Sequence, residues 1–210
     1  MRYKEFLHYR LLRPFEHPRG RPQVVCPCHR AVDLVQDPTH ESSCHLNGGI
    51  RTDRHDQVRD ILHKTLLRAL PNATIRLEPE QEDQDHRRRP DIHVLNDGVE
   101  YAIDVAIVDP CSLVYTRHPT ASSVSNPAGA AILHEAHKTR LYRDTVHAPH
   151  LIPFVLETTG RLGPSARAFL DRVTATATFA RSTFLTEVSF ILARAIGKSI
   201  LQTRRRVARL

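Results

Sequence analysis

Two β-rich runs separated by a tight turn signal decide how this chain folds. The first run is RRRPDIHVL (residues 87–95), and the second is YAIDVAIV (residues 101–108). Between them lies Asp97-Gly98, and an Asp-Gly pair in such a gap is a strong hairpin signal. The pattern predicts two antiparallel strands joined by a short turn.

Each run carries one carboxylate where an apolar side chain is expected, Asp91 in the first and Asp104 in the second. Residues 102–108 are otherwise apolar, which indicates a central strand covered on both faces. An ionised carboxylate in such a strand is costly unless it is paired or holds a metal. For Asp104 alone, a buried side chain satisfied by an arginine or by backbone N–H groups is an equally good interpretation. Two such residues on adjacent strands favour a divalent-metal site.

Length and charge narrow the class of protein. With 210 residues and 40% hydrophobic content, the chain is expected to form one domain, or one domain with a small appendage. Lysine and arginine total 30 against 23 acidic residues, a surplus of 7, and this balance suits a phosphate-rich partner. No apolar run approaches a membrane span of roughly 18 residues, and residues 1–5 lack the apolar core of a signal peptide.

Cysteine and histidine residues form a second cluster near the N-terminus. Cys26, Cys28, His40 and Cys44 give two closely spaced pairs separated by a polar loop, which is a common way to supply four zinc ligands. His45 is an alternative to His40 or Cys44 as a ligand, and His29 is also nearby. The competing interpretation is three unrelated thiols. Because the loop lacks the apolar pattern of a DNA-reading helix, a structural zinc is the better prediction, in a reducing compartment that is nuclear or, alternatively, cytoplasmic.

The order of predicted elements indicates an α/β fold with a mixed sheet flanked by helices. The prediction is a zinc module followed by α–β–β–β–α–β and two covering helices. The segments are helix 53–70 with Asp53 as N-cap, strand 74–79, the hairpin, helix 128–143, strand 151–157, and helices 164–179 and 183–202. The corresponding organisation is a basic N-terminal segment (1–22), a zinc module (23–50), the α/β domain (51–203) and a basic tail (204–210).

The ordered set Arg89-Pro90-Asp91, Asp104, Lys138 and Tyr142 resembles the PD-(D/E)xK restriction-like endonuclease domain. More narrowly, it resembles the version in site-specific non-LTR retrotransposons, which a Cys/His zinc module precedes. RHD (residues 54–56) and PFVLET (residues 153–158) are also similar to that group. In the simplest pattern the lysine lies two residues after the second acid, where this chain has Ala106. The retrotransposon version places its lysine on the following helix, which identifies Lys138 as the candidate.

The resemblance implies a metal-dependent DNA endonuclease that nicks DNA by hydrolysing phosphodiester bonds. Asp91, Asp104 and the Ala106 carbonyl would hold Mg²⁺ or Mn²⁺, and Lys138 would orient water or stabilise the transition state, with Tyr142 as its companion. Glu78 is the candidate third acid, and Arg88 and Arg89 are the candidate contacts to DNA phosphates. The implied partners are DNA, RNA–DNA intermediates of a retroelement, and an upstream reverse-transcriptase module that is absent from this chain.

Two other functions fit the same residues. The first is a catalytically inactive, zinc-stapled nucleic-acid-binding domain derived from a retroelement. The second is a basic α/β scaffold that binds other proteins, with neither DNA affinity nor metal dependence. Cleavage that depends on Mg²⁺ or Mn²⁺ distinguishes the enzyme from both.

Overall fold

The predicted hairpin lies at the centre of a four-stranded mixed sheet with helices on both faces. The computed structural model describes residues 25–28, 30–37, 39–78, 89–118, 126–145 and 150–209. The basic N-terminal segment (1–22), His29 and Arg88 lie outside the described residues. The fold is therefore mixed α/β with a Cys/His cluster at its N-terminal side, as the sequence predicts.

The elements follow the predicted order with one short helix added before the helix that carries Lys138. A 3-10 helix, His45–Asn47, precedes α2. The helices and strands are α1 His40–Ser43, α2 Gly48–Ala69, β1 Thr74–Leu77, β2 Ile92–Asn96, β3 Val99–Val108, α3 Leu113–Thr116, α4 Gly129–Leu141, β4 Leu151–Glu157, α5 Pro164–Val173 and α6 Thr178–Val207.

The sheet has the strand order β1-β2-β3-β4. Strands β1, β2 and β3 pair in antiparallel fashion, whereas β4 is parallel to β3 and is reached through α4. In the β2–β3 turn, Asp97 and Gly98 have φ values of 49° and 77°, and positive φ at both positions is what a type I′ turn requires. The hairpin is confirmed, and it makes β3 an interior strand.

The two faces of the sheet are covered by different helices. On one face, Ile103 and Val105 of β3 belong to a large core with apolar side chains of α2, α5 and α6. On the other face, Ala106 and Val108 pack with Ala130 and Ala131 of α4. Because side chains alternate along a strand, Asp104 lies on the α4 face. Among the described helices, none has the length and apolar character that a membrane span requires.

Four predicted helix boundaries are wrong. Helix α2 begins at Gly48 rather than after Asp53, so the expected boundary between residues 50 and 51 falls inside a helix. Helix α5 ends at Val173, and α6 begins at Thr178 instead of Thr183. The same helix continues to Val207, so the predicted basic tail is largely helical.

The Cys/His module is joined to both ends of the α/β domain. The Asn47 side chain donates to the Glu41 carbonyl at 2.8 Å and to the Thr203 hydroxyl at 3.1 Å. Arg206 in turn donates to Asn47 Oδ1 at 2.9 Å and to the Leu46 carbonyl at 2.8 Å. These bonds support the first turn of α2 and the last turn of α6. They explain why α2 begins earlier and why α6 ends later than the sequence predicts.

A buried carboxylate fixes α5 against α4. Glu135 accepts hydrogen bonds from the Ser165 backbone N–H at 3.0 Å and the Ser165 hydroxyl at 3.0 Å, at the first turn of α5. First-turn N–H groups have no partner within the helix, and a negative charge there is favourable. A Cβ atom at Gly163 would collide with the Glu135 carboxylate, so this contact requires glycine.

We expect Gly163→Ala to reduce the free energy of unfolding by about 1–3 kcal/mol, because the added methyl group displaces Glu135 from the start of α5. Gly49→Ala is the matched control, since a Cβ at Gly49 meets nothing within 4 Å and the site is helical. That variant should be neutral or stabilised by up to about 1 kcal/mol. Urea unfolding measures both, and equal effects would mean that Glu135 is not confined.

Candidate metal centres

Cys26, Cys28, His40 and Cys44 form a compact group of metal-ligand atoms. One ligand atom from each residue lies within 4.8 Å of all the others, and the four residues are buried. The Cys26 and Cys44 sulfur atoms are 3.7 Å apart, and Cys28 Sγ is 3.3 Å from His40 Nε2. Zinc–sulfur bonds of about 2.3 Å in a tetrahedron place two sulfur atoms about 3.8 Å apart. The group could therefore hold a zinc ion.

Burial disfavours the Cys28 thiolate, but hydrogen bonds with the backbone and with the neighbouring thiols outweigh it and lower the pKa of Cys28. At Cys26, burial prevails. It raises the pKa of Cys26 to about 12, with the neighbouring Cys44 and Cys28 thiols adding to the rise. It also lowers the pKa of His40, so the imidazole stays neutral at physiological pH. A neutral imidazole is a metal ligand, and a bound zinc ion would supply the charge that holds the thiols as thiolates.

The alternatives for this group are narrowed by the geometry. Among the described residues, the imidazole in the ligand group is that of His40, whereas His45 is exposed and outside it. Cys111, the fourth cysteine, is a free thiol that lies beyond β3. The ligand set predicted first, with Cys-x-Cys and His-x3-Cys, is the one that the fold brings together.

A second cluster forms where β2 begins beside β3. The Asp91 carboxylate accepts a hydrogen bond from the Val105 N–H at 2.7 Å through Oδ2. The Asp104 side chain is buried, and contact with Asp91 contributes to its raised pKa. The two predicted acids therefore converge instead of pointing to opposite faces of the sheet.

Lys138 and Tyr142 reach the same cluster from α4. Lys138 Nζ lies 2.8 Å from Asp104 Oδ2, and one turn further along the helix the buried Tyr142 hydroxyl interacts with Asp104. The i, i+4 spacing of Lys138 and Tyr142 places both side chains on the helix face that covers β3. Burial, followed by the charges of Asp104 and Asp91, raises the pKa of Tyr142, so its hydroxyl stays protonated and can donate to a carboxylate.

The two acids have opposite pKa shifts. Burial raises the pKa of Asp104 to about 6, because Lys138 offsets only part of the desolvation and Asp91 adds to it. Burial also disfavours the Asp91 carboxylate, but His55, the Val105 N–H and Lys138 outweigh it and lower the pKa of Asp91. At neutral pH both side chains are largely ionised, and Asp104 is the one whose charge the folded protein compensates least.

The acidic cluster fits a small divalent cation. Its donors are carboxylate oxygens, the ligands that Mg²⁺ and Mn²⁺ prefer. Asp104 Oδ2 is fully buried and accepts no directed hydrogen bond, although Lys138 forms an ion pair with it. The contacts of Asp91 with the Val105 N–H and with His55 both fall on Oδ2. A buried charge with incomplete compensation favours any additional positive charge nearby.

The predicted backbone ligand needs a correction. Carbonyls of successive strand residues point to opposite sides, and the Ile103 carbonyl accepts from the Asp91 N–H, whereas the Val108 carbonyl accepts from Thr158 after β4. By this alternation the Ala106 carbonyl points to β4, away from Asp91. The carbonyl on the Asp91 side is that of Val105, which lies 3.1 Å from His55 Nε2.

Glu78 and the arginines occupy the margin of the cluster. Glu78 pairs with Arg59 and, at 2.7 Å, with Arg89. None of the contacts described for Glu78 joins its carboxylate to Asp91 or Asp104, so its predicted role as third acid gains no support. Arg89 is partly exposed at 38% of its side chain, which leaves a surface for a phosphate contact beside its bond to Glu78.

His55 belongs to the RHD stretch noted in the sequence, but the sequence assigned it no role in the site. Its Nε2 lies 3.1 Å from the Val105 carbonyl and 3.4 Å from Asp91 Oδ2, and its Nδ1 lies 3.2 Å from Asp56 Oδ1. The contact with Asp91 is the main cause that raises the pKa of His55 to about 9. A signal was present, because His55 precedes Val58 by three residues and Leu62 by seven, which places it on the buried stripe of α2.

The zinc prediction is tested by metal analysis. Protein purified without chelator should contain about one zinc per chain, and Cys44→Ser should lose it and melt at a lower temperature, because metal binding and folding are coupled in a closed site. Cys111→Ser is the control, since this thiol lies outside the group, and it should retain full zinc content. Zinc-free wild-type protein with unchanged melting would contradict the site.

Asp104→Asn should change how stability depends on pH when divalent cations are absent. The pKa of Asp104 in the folded protein is about 6, above the ordinary 3.8, so its protonated form stabilises the fold below about pH 4 and this contribution is lost as pH rises through 6. We expect the variant to lack this decline and to be more stable at pH 7 by roughly 1–3 kcal/mol. Urea unfolding at pH 4–7 measures it.

Asp144→Asn is the control for that series, because Asp144 is exposed. It should follow the wild type at every pH. If Asp104→Asn also follows the wild type, the Asp104 carboxylate carries no unfavourable charge in the folded protein.

Compared with models of known protein families and with curated proteins, the sequence matches none of them. The features that bear on function are the two clusters, a Cys/His group that could hold zinc and an acidic pair with a lysine beside it.

Proposed function

We propose that this chain is a metal-dependent DNA endonuclease of the restriction-like type, with Asp91, Asp104 and Lys138 at its active site. One observation carries the proposal. The half-buried Asp91, just before β2, meets the buried Asp104 of β3, and a lysine ammonium lies 2.8 Å from Asp104. Burying two carboxylates and a lysine together costs free energy, so this combination is a poor way to stabilise a fold. The same groups suit phosphodiester hydrolysis.

The arrangement of elements supports the same proposal. The helix, the three antiparallel strands, the crossover helix and the parallel fourth strand follow the order expected for a restriction-like core. Within that order, Asp91 immediately precedes β2, Asp104 lies in β3, and Lys138 lies on the crossover helix. Fold alone does not establish an activity, so the placement of these three side chains matters more than the topology.

Each residue has a defined role in the proposed chemistry. Asp91 and Asp104 would hold Mg²⁺ through their carboxylates, with the Val105 carbonyl as the nearest backbone oxygen. When bound, the ion supplies polarisation of the scissile phosphate and a lower pKa for a coordinated water. Lys138 would place its ammonium near the charge that develops on the phosphate oxygens, while Tyr142 holds the Asp104 carboxylate in place.

The positive charge of the chain supports nucleic acid as the substrate class. The net charge is +7, and Arg89 lies at the margin of the acidic cluster with part of its side chain exposed. Phosphate contacts made by such residues position a nucleic acid without reading its sequence. The Cys/His module would serve as a structural support, because it is clamped between α6 and the end of β3 through Asn47, Arg206 and Ser42.

A plasmid nicking assay tests the proposal. The zinc-loaded protein should nick supercoiled DNA with Mg²⁺ or Mn²⁺ and should stop when EDTA removes the catalytic ion. Asp104→Asn should lower the rate by about 100-fold or more, and Lys138→Ala by about 100-fold with DNA affinity within about twofold of wild type. Lys64→Ala is the control for Lys138, because Lys64 is an exposed residue of α2 outside the cluster.

The alternative functions predict different results in the same assay. A catalytically inactive binding domain would bind DNA with a clear salt dependence but would give no metal-dependent nicking. A protein-binding scaffold would do neither. Nicking that survives Asp104→Asn would point to a contaminating nuclease and would overturn the proposal.

A further inference from the structure

His55 connects α2 to the acidic cluster through two oxygen atoms, and a third contact lies within α2. Its Nε2 approaches the Val105 carbonyl at 3.1 Å and Asp91 Oδ2 at 3.4 Å, while Nδ1 approaches Asp56 Oδ1 at 3.2 Å. Since both nitrogens face acceptors, the ring donates from both sides and its orientation is fixed. The side chain is partly buried, with 31% of its surface exposed, so the ring is held mainly by protein groups.

These contacts give the Val105 backbone hydrogen-bond partners at a position where β2 no longer pairs with β3. Strand β2 begins at Ile92, so Val105 has no strand partner on that side. The Asp91 side chain accepts from the Val105 N–H at 2.7 Å, and His55 donates to the Val105 carbonyl. The Asp91 and His55 side chains thus take the place of a missing strand residue, next to Asp104 in the chain.

We propose that His55 is a positioning residue that fixes Asp91 Oδ2 and the Val105 carbonyl, so that the remaining oxygens of the cluster form a ready-made cation pocket. This inference rests on the proposed function, since it assumes that Asp91 and Asp104 bind a divalent cation. A carbonyl has two acceptor positions and a carboxylate has two oxygens, so His55 leaves an acceptor free on each partner. His55 would act through the residues it holds, Asp91 and Val105, and not through the reacting phosphate.

Replacing His55 should weaken metal binding much more than it lowers the rate at saturating metal. In His55→Ala, Val105 loses the donor to its carbonyl, and Asp91 loses the group that restricts its rotation. Changes of this kind around a metal site typically cost about 10–100-fold in metal affinity. Because Lys138 and Asp104 are untouched, the rate at saturating metal should change much less than the metal concentration that the protein requires.

The test compares His55→Ala, His55→Gln and the control His63→Ala. Glutamine can offer an N–H group near the same oxygens, so it should restore part of what alanine loses. His63 lies on the same helix eight residues further along and takes no part in the cluster. Three quantities are measured: binding of Mn²⁺ by calorimetry on zinc-loaded protein, the Mg²⁺ concentration for half-maximal nicking, and hydrogen exchange of the Val105 amide by NMR without divalent cation.

The expected result for His55→Ala is about tenfold weaker Mn²⁺ binding, a similar rise in the Mg²⁺ requirement and faster exchange at Val105, with His55→Gln intermediate and His63→Ala unchanged. If wild type binds Mn²⁺ and nicks DNA, Asp104→Asn does neither, and His55→Ala matches wild type, the inference is overturned while the proposed function stands. If wild type neither binds Mn²⁺ nor nicks DNA, the proposed function is overturned. The Val105 exchange rate then decides separately whether His55 orders this backbone.

Discussion

The carboxylate of Asp104 is the constraint on which the arrangement of this protein depends. It lies in an interior strand, it is only 5% exposed, and burial raises its pKa to about 6. An uncompensated charge in such a position would cost several kcal/mol. The neighbouring elements therefore supply positive charge or hydrogen bonds at this point, with Lys138 and Tyr142 from one face and His55 acting on Asp91 from the other. Even so, compensation is incomplete, and this property is one reason why we propose a cation site here.

A second feature of the structure is the set of hydrogen bonds that join the Cys/His module to the α/β domain. The Ser42 hydroxyl bonds to Asp109 just after β3, and Arg206 at the end of α6 bonds to Asn47 and Leu46. Val207 packs in the same small core as Cys26, Cys28 and Cys44. A zinc ion held there would stabilise the last turn of α6 and the end of β3 as well as the module itself.

Local signals predicted the hairpin and the central position of β3, because Asp97-Gly98 supports a type I′ turn and residues 102–108 are apolar except for Asp104. The ligand spacing of the zinc group was predictable for the same reason, since each pair of ligands is close in sequence. The start of α2 could not be predicted from local signals, because Gly48 and Gly49 are poor helix formers. Their helical state depends on tertiary contacts of Asn47. The link from His55 to Val105 spans 50 residues, and the Ala106 carbonyl was misassigned because strand alternation is visible only once register is known. Long-range contacts and register are what a single sequence specifies least directly.

The bonds between Asn47 and Thr203 and between Arg206 and Leu46 join residues that are 156 and 160 positions apart. A ribosome releases the Cys/His module before α6, and at about 5–20 residues per second the interval between them is roughly 10–30 seconds. During that interval the surface of the module that later packs on α6 faces solvent. Because Val207 of α6 belongs to the small core that holds Cys26, Cys28 and Cys44, the core of the module is complete only after α6 has left the ribosome.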